Sequence, residues 1–171
     1  MLGSADQASI ALVTELQRKC LGKVALYSVL VLRRGDGQMS KLRVLLADDH
    51  PTMLQMVGNI VESIFEVVGK VADGKSLSEA AAKLNPDLIV TDISMPILNG
   101  IDAVKELKKS GCRAKVVFLT VHSDQEFVRV CFEAGATGYV LKPRMANDLL
   151  DAMRAVVAGH RFASPNLTHR N

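Results

Sequence analysis

The chain has 171 residues and 18.5 kDa, 49 % of them apolar and 23 % charged, enough for one domain with a full core plus an appendage. The net charge of +3 is unevenly spread: residues 39 to 165 carry fifteen basic and fifteen acidic side chains, so that stretch lacks the basic footprint of a nucleic-acid binder. Aromatics at 4 % with no Trp exclude a base-stacking platform, and Cys20, Cys112 and Cys131, with no C-x-x-C spacing, exclude a disulfide framework or zinc site.

Residues 1 to 38 form a unit of their own in pattern. Ala8 to Cys20 reads as a helix, Lys23 to Leu32 as a strand, and Arg33 to Gly37 as a turn or linker. The apolar run Val24 to Leu32 is about half the length of a membrane helix, and the first basic residue is Arg18, so neither a membrane span nor an export signal is expected and the chain reads as cytoplasmic. An extra strand here could pair with an exposed sheet edge, although a dispensable leader is the preferred expectation.

From Leu42 onward short β-branched runs alternate with amphipathic stretches. Leu42 to Ala47 is a strand, followed by Met53, Leu54, Met56, Val57, Ile60, Val61 and Ile64 at helical spacing. Glu66 to Ala72 is the second strand, and Ser76 with Glu79 predicts a capping box for the second helix. The third strand ends at Asp92, and the helix after it carries Ile101, Val104 and Leu107 on one face. Lys115 to Thr120 is the fourth strand, and Ser123 with Glu126 predicts a second capping box ahead of Phe127, Val130 and Cys131. Thr137 to Leu141 is the fifth strand, and a closing helix with Leu149, Leu150, Met153, Val156 and Val157 stops at Gly159. Five strand-helix units in succession predict an α/β fold, a doubly wound five-stranded parallel sheet with helices on both faces.

In such sheets function gathers at the carboxyl ends of the strands. The first strand ends in Asp48 and Asp49, the third in Asp92, the fourth in Thr120, and the fifth is followed by Lys142 and Pro143. Each has a plain structural reading: a helix cap for Asp48 or Asp49, a turn cap for Asp92, a strand end for Thr120, a solvated charge for Lys142. Together they set three carboxylates, a hydroxyl and an ammonium on one edge. Clustered carboxylates resist ionising without a counter-charge, and Mg²⁺ relieves them while keeping positions open for phosphate oxygens. One carboxylate could then attack a phosphoryl group, with Lys142 and Thr120 contacting its oxygens.

The stretches VLLADDHPTML, DLIVTDISMPILNG, VVFLTVHSD and GATGYVLKP resemble the motif set of the receiver domain of two-component response regulators, over about Lys41 to Ser164. ADDHP and DLLDAMRAVVAGHRFASP are similar to the subfamily that couples a receiver to a helix-turn-helix DNA-binding domain. The resemblance implies a flavodoxin-like strand order 2-1-3-4-5. It implies Asp92 as phosphoacceptor, Asp49 binding Mg²⁺ directly with Asp48 assisting, the Ser94 backbone carbonyl as a further ligand, and Thr120 and Lys142 contacting the phosphoryl group. It makes Tyr139 the aromatic that moves inward with Thr120 on activation, and the Lys142–Pro143 bond cis. The implied partners are a histidine kinase or phosphotransfer protein and a second copy meeting the fourth helix, fifth strand and fifth helix. Direct nucleic-acid binding is not expected of this chain.

Rival readings share the fold. A flavodoxin-like flavin binder needs a hydroxyl- and glycine-rich loop where Asp48 and Asp49 stand. An aspartate-nucleophile phosphohydrolase of the haloacid dehalogenase type is the alternative, but it resembles a D-x-D pattern whose second Asp is here Ser94. His50, His122, His160 and His169 show no metal-ligand spacing; His50 reads as a subfamily feature, and His122 and Ser94 as residues near the site that tune phosphoryl lifetime. The expected organisation is an N-terminal extension over 1–38, a receiver over 39–165 with MSKLRVLLADDH as its natural start, and a tail over 166–171 with no output domain.

Overall fold

The structure is a computed structural model and describes residues 31–33, 39–165 and 167. The helix expected over Ala8 to Cys20, and the strand expected from Lys23 up to Leu30, lie outside these residues. Strand β1, Val31–Arg33, pairs antiparallel with β2, Met39–Lys41, as a separate two-stranded ribbon that is not part of the main sheet.

The main sheet contains β3 (Arg43–Ala47), β4 (Glu66–Val71), β5 (Leu88–Thr91), β6 (Lys115–Thr120), β7 (Gly138–Leu141) and β8 (Phe162–Ala163). All its pairings are parallel, in the order β4-β3-β5-β6-β7-β8. The five expected strands therefore take the expected 2-1-3-4-5 order, and β8 is a sixth that pairs Gly138 with Phe162 and Tyr139 with Ala163. Two residues after a helix end offer no periodicity to read, so β8 is invisible to pattern alone.

Among the described residues five helices cover the sheet: α1 (Pro51–Val61), α2 (Gly74–Leu84), α3 (Gly100–Lys109), α4 (Gln125–Glu133) and α5 (Met145–Val157). Successive strand residues point to opposite faces, so β5 sends Leu88 and Val90 to one core and Ile89 to the other. On one side Leu46, Val57, Val61, Leu119, Leu149 and Met153 pack under α1 and α5. On the other, Leu45, Leu77, Val104, Leu107, Phe118 and Cys131 pack under α2, α3 and α4. Every residue of β5 and β7 is buried, the signature of parallel strands covered on both faces. No helix among the described residues is long and apolar enough to cross a membrane.

Two helix starts differ from expectation. Asp73 caps α2, accepting from the Ser76 N–H at 2.8 Å and the Ser76 hydroxyl at 2.7 Å, so Ser76 donates to a cap instead of being one. Asp124 caps α4 in the same way, accepting from the Glu126 N–H at 2.9 Å. In both cases a carboxylate close to the Ser competes successfully for the helix N–H groups.

Candidate functional site

The loops after β3 and β5 begin where the ladder runs one residue past each strand. The Asp48 N–H donates to the Val71 carbonyl at 3.1 Å, and the Asp92 N–H to the Ala47 carbonyl at 2.8 Å. These bonds fix both backbones at the sheet's carboxyl edge, and both residues are 4 % exposed. After Asp92 the turn closes on other carbonyls than that of Ser94: Met95 and Gly100 N–H donate to Ile93, and Leu98 N–H donates to Pro96. Gly100 is required there because a Cβ at that position would lie 1.9 Å from the Asp92 carbonyl oxygen.

Lys142 joins the two carboxylates. Its Nζ lies 2.7 Å from Asp92 Oδ2, to which it donates, and 2.7 Å from Asp48 Oδ2. Burial works against the ammonium, but bonding and charge from Asp48 and Asp92 outweigh it and leave the Lys142 pKa above the ordinary lysine value. The other oxygen of Asp92, Oδ1, accepts the Ile93 N–H at 2.7 Å. Lys142 opens a 3₁₀ turn, Lys142–Arg144, directly after β7. The cis bond expected before Pro143 is not present: no peptide bond among the described residues is cis, and Pro143 sits in the first turn of the 3₁₀ helix, where its fixed φ is accommodated.

Asp49 and His50 complete the acidic corner. His50 Nδ1 is 2.8 Å from Asp49 Oδ1, and the His50 N–H donates to Asp48 Oδ1 at 2.9 Å. Asp48 Oδ2 and Asp49 Oδ1 are buried, the first 2.7 Å from Lys142 Nζ and the second 2.8 Å from His50 Nδ1. Ligand atoms of Asp48, Asp49 and His50 all lie within 4.8 Å of one another. Clustered carboxylate oxygens, two of them buried, are the hard oxygen ligands a divalent cation takes, so these residues fit Mg²⁺. The approach of His50 was not legible in advance, because it depends on the turn into α1 and not on ligand spacing.

Thr120, the last residue of β6, pairs with Leu141 in register, which places it beside the residue preceding Lys142. It is fully buried, and its Oγ1 accepts the His122 N–H at 3.3 Å. His122 Nε2 is 3.1 Å from Ser94 Oγ, and its ring stacks on Phe127 at 4.1 Å between centroids. Tyr139 lies inward, its ring buried. The structure thus brings Asp48, Asp49, Asp92 and Lys142 into one charge cluster, and sets Thr120 at the end of β6 and Ser94 and His122 in the loops along the same sheet edge. A groove of about 720 Å³ lies at the opposite, amino-terminal end of the sheet, lined by Leu42, Pro86, Leu107 and Cys112, and shares none of these residues.

A family model described as the response regulator receiver domain matches residues 44–154. The transcriptional regulatory protein DegU of Brevibacillus brevis is 36 % identical over 132 residues, covering 76 % of this chain and 56 % of that protein. The nitrate/nitrite response regulator protein NarL of Escherichia coli K12 is 34 % identical over 127 residues, covering 73 % and 59 %. The chain thus spans under two thirds of the length of these curated relatives. A solved LuxR-family two-component response regulator from Aurantimonas sp. SI85-9A1 superimposes with a TM-score of 0.71 at 32 % identity, over 75 % of this chain and 93 % of that one. The isolated receiver domain of RcsB from Salmonella enterica serovar Typhimurium, solved with phosphomimetic BeF3-, gives 0.68 at 28 % identity, over 74 % and 95 %. With the sheet order, the acidic edge and these matches in agreement, the chain belongs to the response regulator receiver domains of two-component systems.

Proposed function

We propose that Asp92 is the phosphoacceptor of this receiver and that its acyl phosphate operates a conformational switch. The observation that carries the reading is the charge arrangement at Asp92: one oxygen held by Lys142, which also stands 2.7 Å from the buried Asp48, with the Asp49 carboxylate clustered beside Asp48. Mg²⁺ bound by Asp49, Asp92 and the Ser94 carbonyl, with Asp48 assisting, would neutralise those carboxylates and the incoming phosphoryl oxygens.

The Asp92 carboxylate attacks the phosphorus of a phosphohistidine on a histidine kinase or phosphotransfer protein. A P–O bond forms, the P–N bond breaks, and the leaving imidazole keeps the electron pair. Lys142 then pairs with a phosphoryl oxygen in place of the free carboxylate. Thr120 Oγ1 already accepts from His122, so its own proton is free to point to another phosphoryl oxygen. Water attack on phosphorus later returns the carboxylate; beyond this self-dephosphorylation the chain is read as having no enzymatic activity. Ser94 and His122, hydrogen-bonded to each other across the loops, are placed to tune how long the phosphoryl group survives.

Thr120 and Tyr139 form the two-state element that phosphorylation biases. The surface that reads out the state is that of α4, β7 and α5, through which a second copy would dock. One of the curated relatives, DegU, is named a transcriptional regulatory protein, which suits a cytoplasmic role in transcription control without direct DNA contact by this chain. The haloacid dehalogenase alternative gains no support, since Ser94, where that pattern has its acid, bonds His122 and the family match is to receivers.

Intact mass after incubation with acetyl phosphate and Mg²⁺ tests the reading, on wild type and Asp92→Asn, with and without chelator. Gain of one phosphoryl group, dependent on metal and lost in Asp92→Asn, is the expected result. No gain, or gain that persists in Asp92→Asn, overturns it.

A further inference from the structure

Two buried polar side chains stand outside the phosphoryl site, Asp148 on α5 at 7 % exposure and Ser164 just after β8 at 1 %. Asp148 Oδ2 accepts from Arg144 Nε at 2.7 Å and from the Ser164 hydroxyl at 2.7 Å, and its Oδ1 accepts from Arg144 Nη2 at 3.0 Å. Having given its proton to Asp148, Ser164 Oγ accepts the N–H of Leu141 at 3.1 Å. The Ser164 N–H also donates to the Tyr139 carbonyl at 2.9 Å.

These bonds enclose the Lys142 turn. Leu141 precedes Lys142, Arg144 closes its 3₁₀ turn, and both are tied to the same carboxylate, one through Ser164 and one directly. Removing a carboxylate from water is costly unless its oxygens are hydrogen-bonded, and both Asp148 oxygens are, so the cluster holds its geometry tightly. The ammonium it serves stands 2.7 Å from two carboxylates on other strands, and a shift of the turn by a fraction of an ångström alters both contacts.

We infer that Asp148 and Ser164 are positioning residues for Lys142, so that the segment following α5 takes part in phosphoryl acceptance without touching the phosphoryl group. The inference rests on the Asp92 reading above. It gives β8 a function: its pairing with β7 carries Ser164 to the one place where its hydroxyl reaches both Asp148 and Leu141.

The test uses the full chain and four variants, Ser164→Ala, Ser164→Thr, Asp148→Asn and Lys142→Ala, with Ser164→Ala also combined with Lys142→Ala. Initial phosphorylation rates are read by intact mass across a range of acetyl phosphate concentrations, and Mg²⁺ affinity by calorimetry. Ser164→Ala and Asp148→Asn are expected to raise the half-saturating acetyl phosphate concentration or cut the rate by about tenfold, while Mg²⁺ affinity is unchanged or tighter. Ser164→Thr, which keeps the hydroxyl, restores the rate, and Ser164→Ala adds nothing once Lys142 is Ala. A domain merely loosened would lose Mg²⁺ affinity too, and its defect would persist in the Lys142→Ala background; either result overturns the inference, as does a wild-type rate in Ser164→Ala. Wild type that is unlabelled, or labelled elsewhere than Asp92, overturns the Asp92 reading and the inference with it.

Discussion

The phenol of Tyr139 donates a 2.8 Å hydrogen bond to the backbone carbonyl of His122. The N–H of the same residue donates to Thr120, so the two candidate switch residues meet on the backbone of one residue, across its two flanking peptide units. Tyr139→Phe removes one bond and little volume, and a loss of about 1 kcal/mol is expected, read as a lower urea midpoint at unchanged slope. Burial above all holds the Tyr139 pKa above its ordinary value, with charge from Cys131, Asp124 and Asp92 adding to it. A raised folded pKa contributes stability that is full below about pH 10 and lost as pH rises toward the folded value. That alkaline loss should be smaller in Tyr139→Phe than in wild type when unfolding is followed from pH 9 upward.

Lys142 is the cation between two buried carboxylates, and Lys142→Met leaves Asp48 and Asp92 facing each other uncompensated. In chelator the variant should lose about 2 kcal/mol against urea. Mg²⁺ should stabilise wild type by about 2.7 kcal/mol at a hundred times its Kd, and recover part of the variant's loss. Asp49→Asn should abolish most of the Mg²⁺ effect. A wild-type melting temperature insensitive to Mg²⁺ would count against the metal assignment.

The loop after Asp92 is held by two unusual backbone positions. A methyl on Gly100 would lie 1.9 Å from the Asp92 carbonyl oxygen, which cannot yield without moving Asp92. Gly100→Ala should therefore cost about 2 kcal/mol and slow phosphorylation as well. Ile97, at φ 68° and 80 % exposed, is a β-branched residue in the left-handed region with little packing to justify it. Ile97→Asn should stabilise the fold by about 1 kcal/mol, because Asn tolerates that region. Differential scanning calorimetry of the two variants gives opposite signs if the turn is as described.

Asp148 supplies an acid limb. The Arg144 guanidinium, helped by the Ser164 hydroxyl, holds its carboxyl below the ordinary aspartate value against the effect of burial. A depressed folded pKa contributes stability that is present above the unfolded value, near pH 4, and lost as pH falls through the folded value. Wild type should lose stability more steeply than Asp148→Asn below pH 4, and the difference between them at neutral pH should shrink there. Parallel urea titrations at pH 7, 4 and 3 measure both.

The sheet was legible because β3, β5, β6 and β7 are short apolar runs alternating with helices of clear period, and the edge was legible because Asp48, Asp92, Thr120 and Lys142 each end or follow one of those runs. What escaped depends on contacts distant in sequence. Ser164 meets Leu141 and Asp148 only because β8 returns to the sheet, and no periodic pattern marks a two-residue strand. The capping boxes failed for a local reason: Asp73 and Asp124 stand near the Ser residues and bind the same helix N–H groups more strongly. The metal-ligand roles of Asp49 and the Ser94 carbonyl came from resemblance, whereas the bond from Ser94 to His122 joins two loops on different strands and needed three dimensions.

Strand β8 also decides how this side of the sheet can meet another molecule. Without it, β7 would offer its neighbour a row of unpaired peptide groups, the template on which foreign strands add and aggregates grow. With Phe162 and Ala163 in place, and Arg161 lying 5.2 Å over the ring of Phe132, the outermost strand is only two residues long. A second copy approaching α4, β7 and α5 finds too little backbone for sheet extension. Recognition there is left to side chains on helices, which can be made and released without rebuilding a ladder.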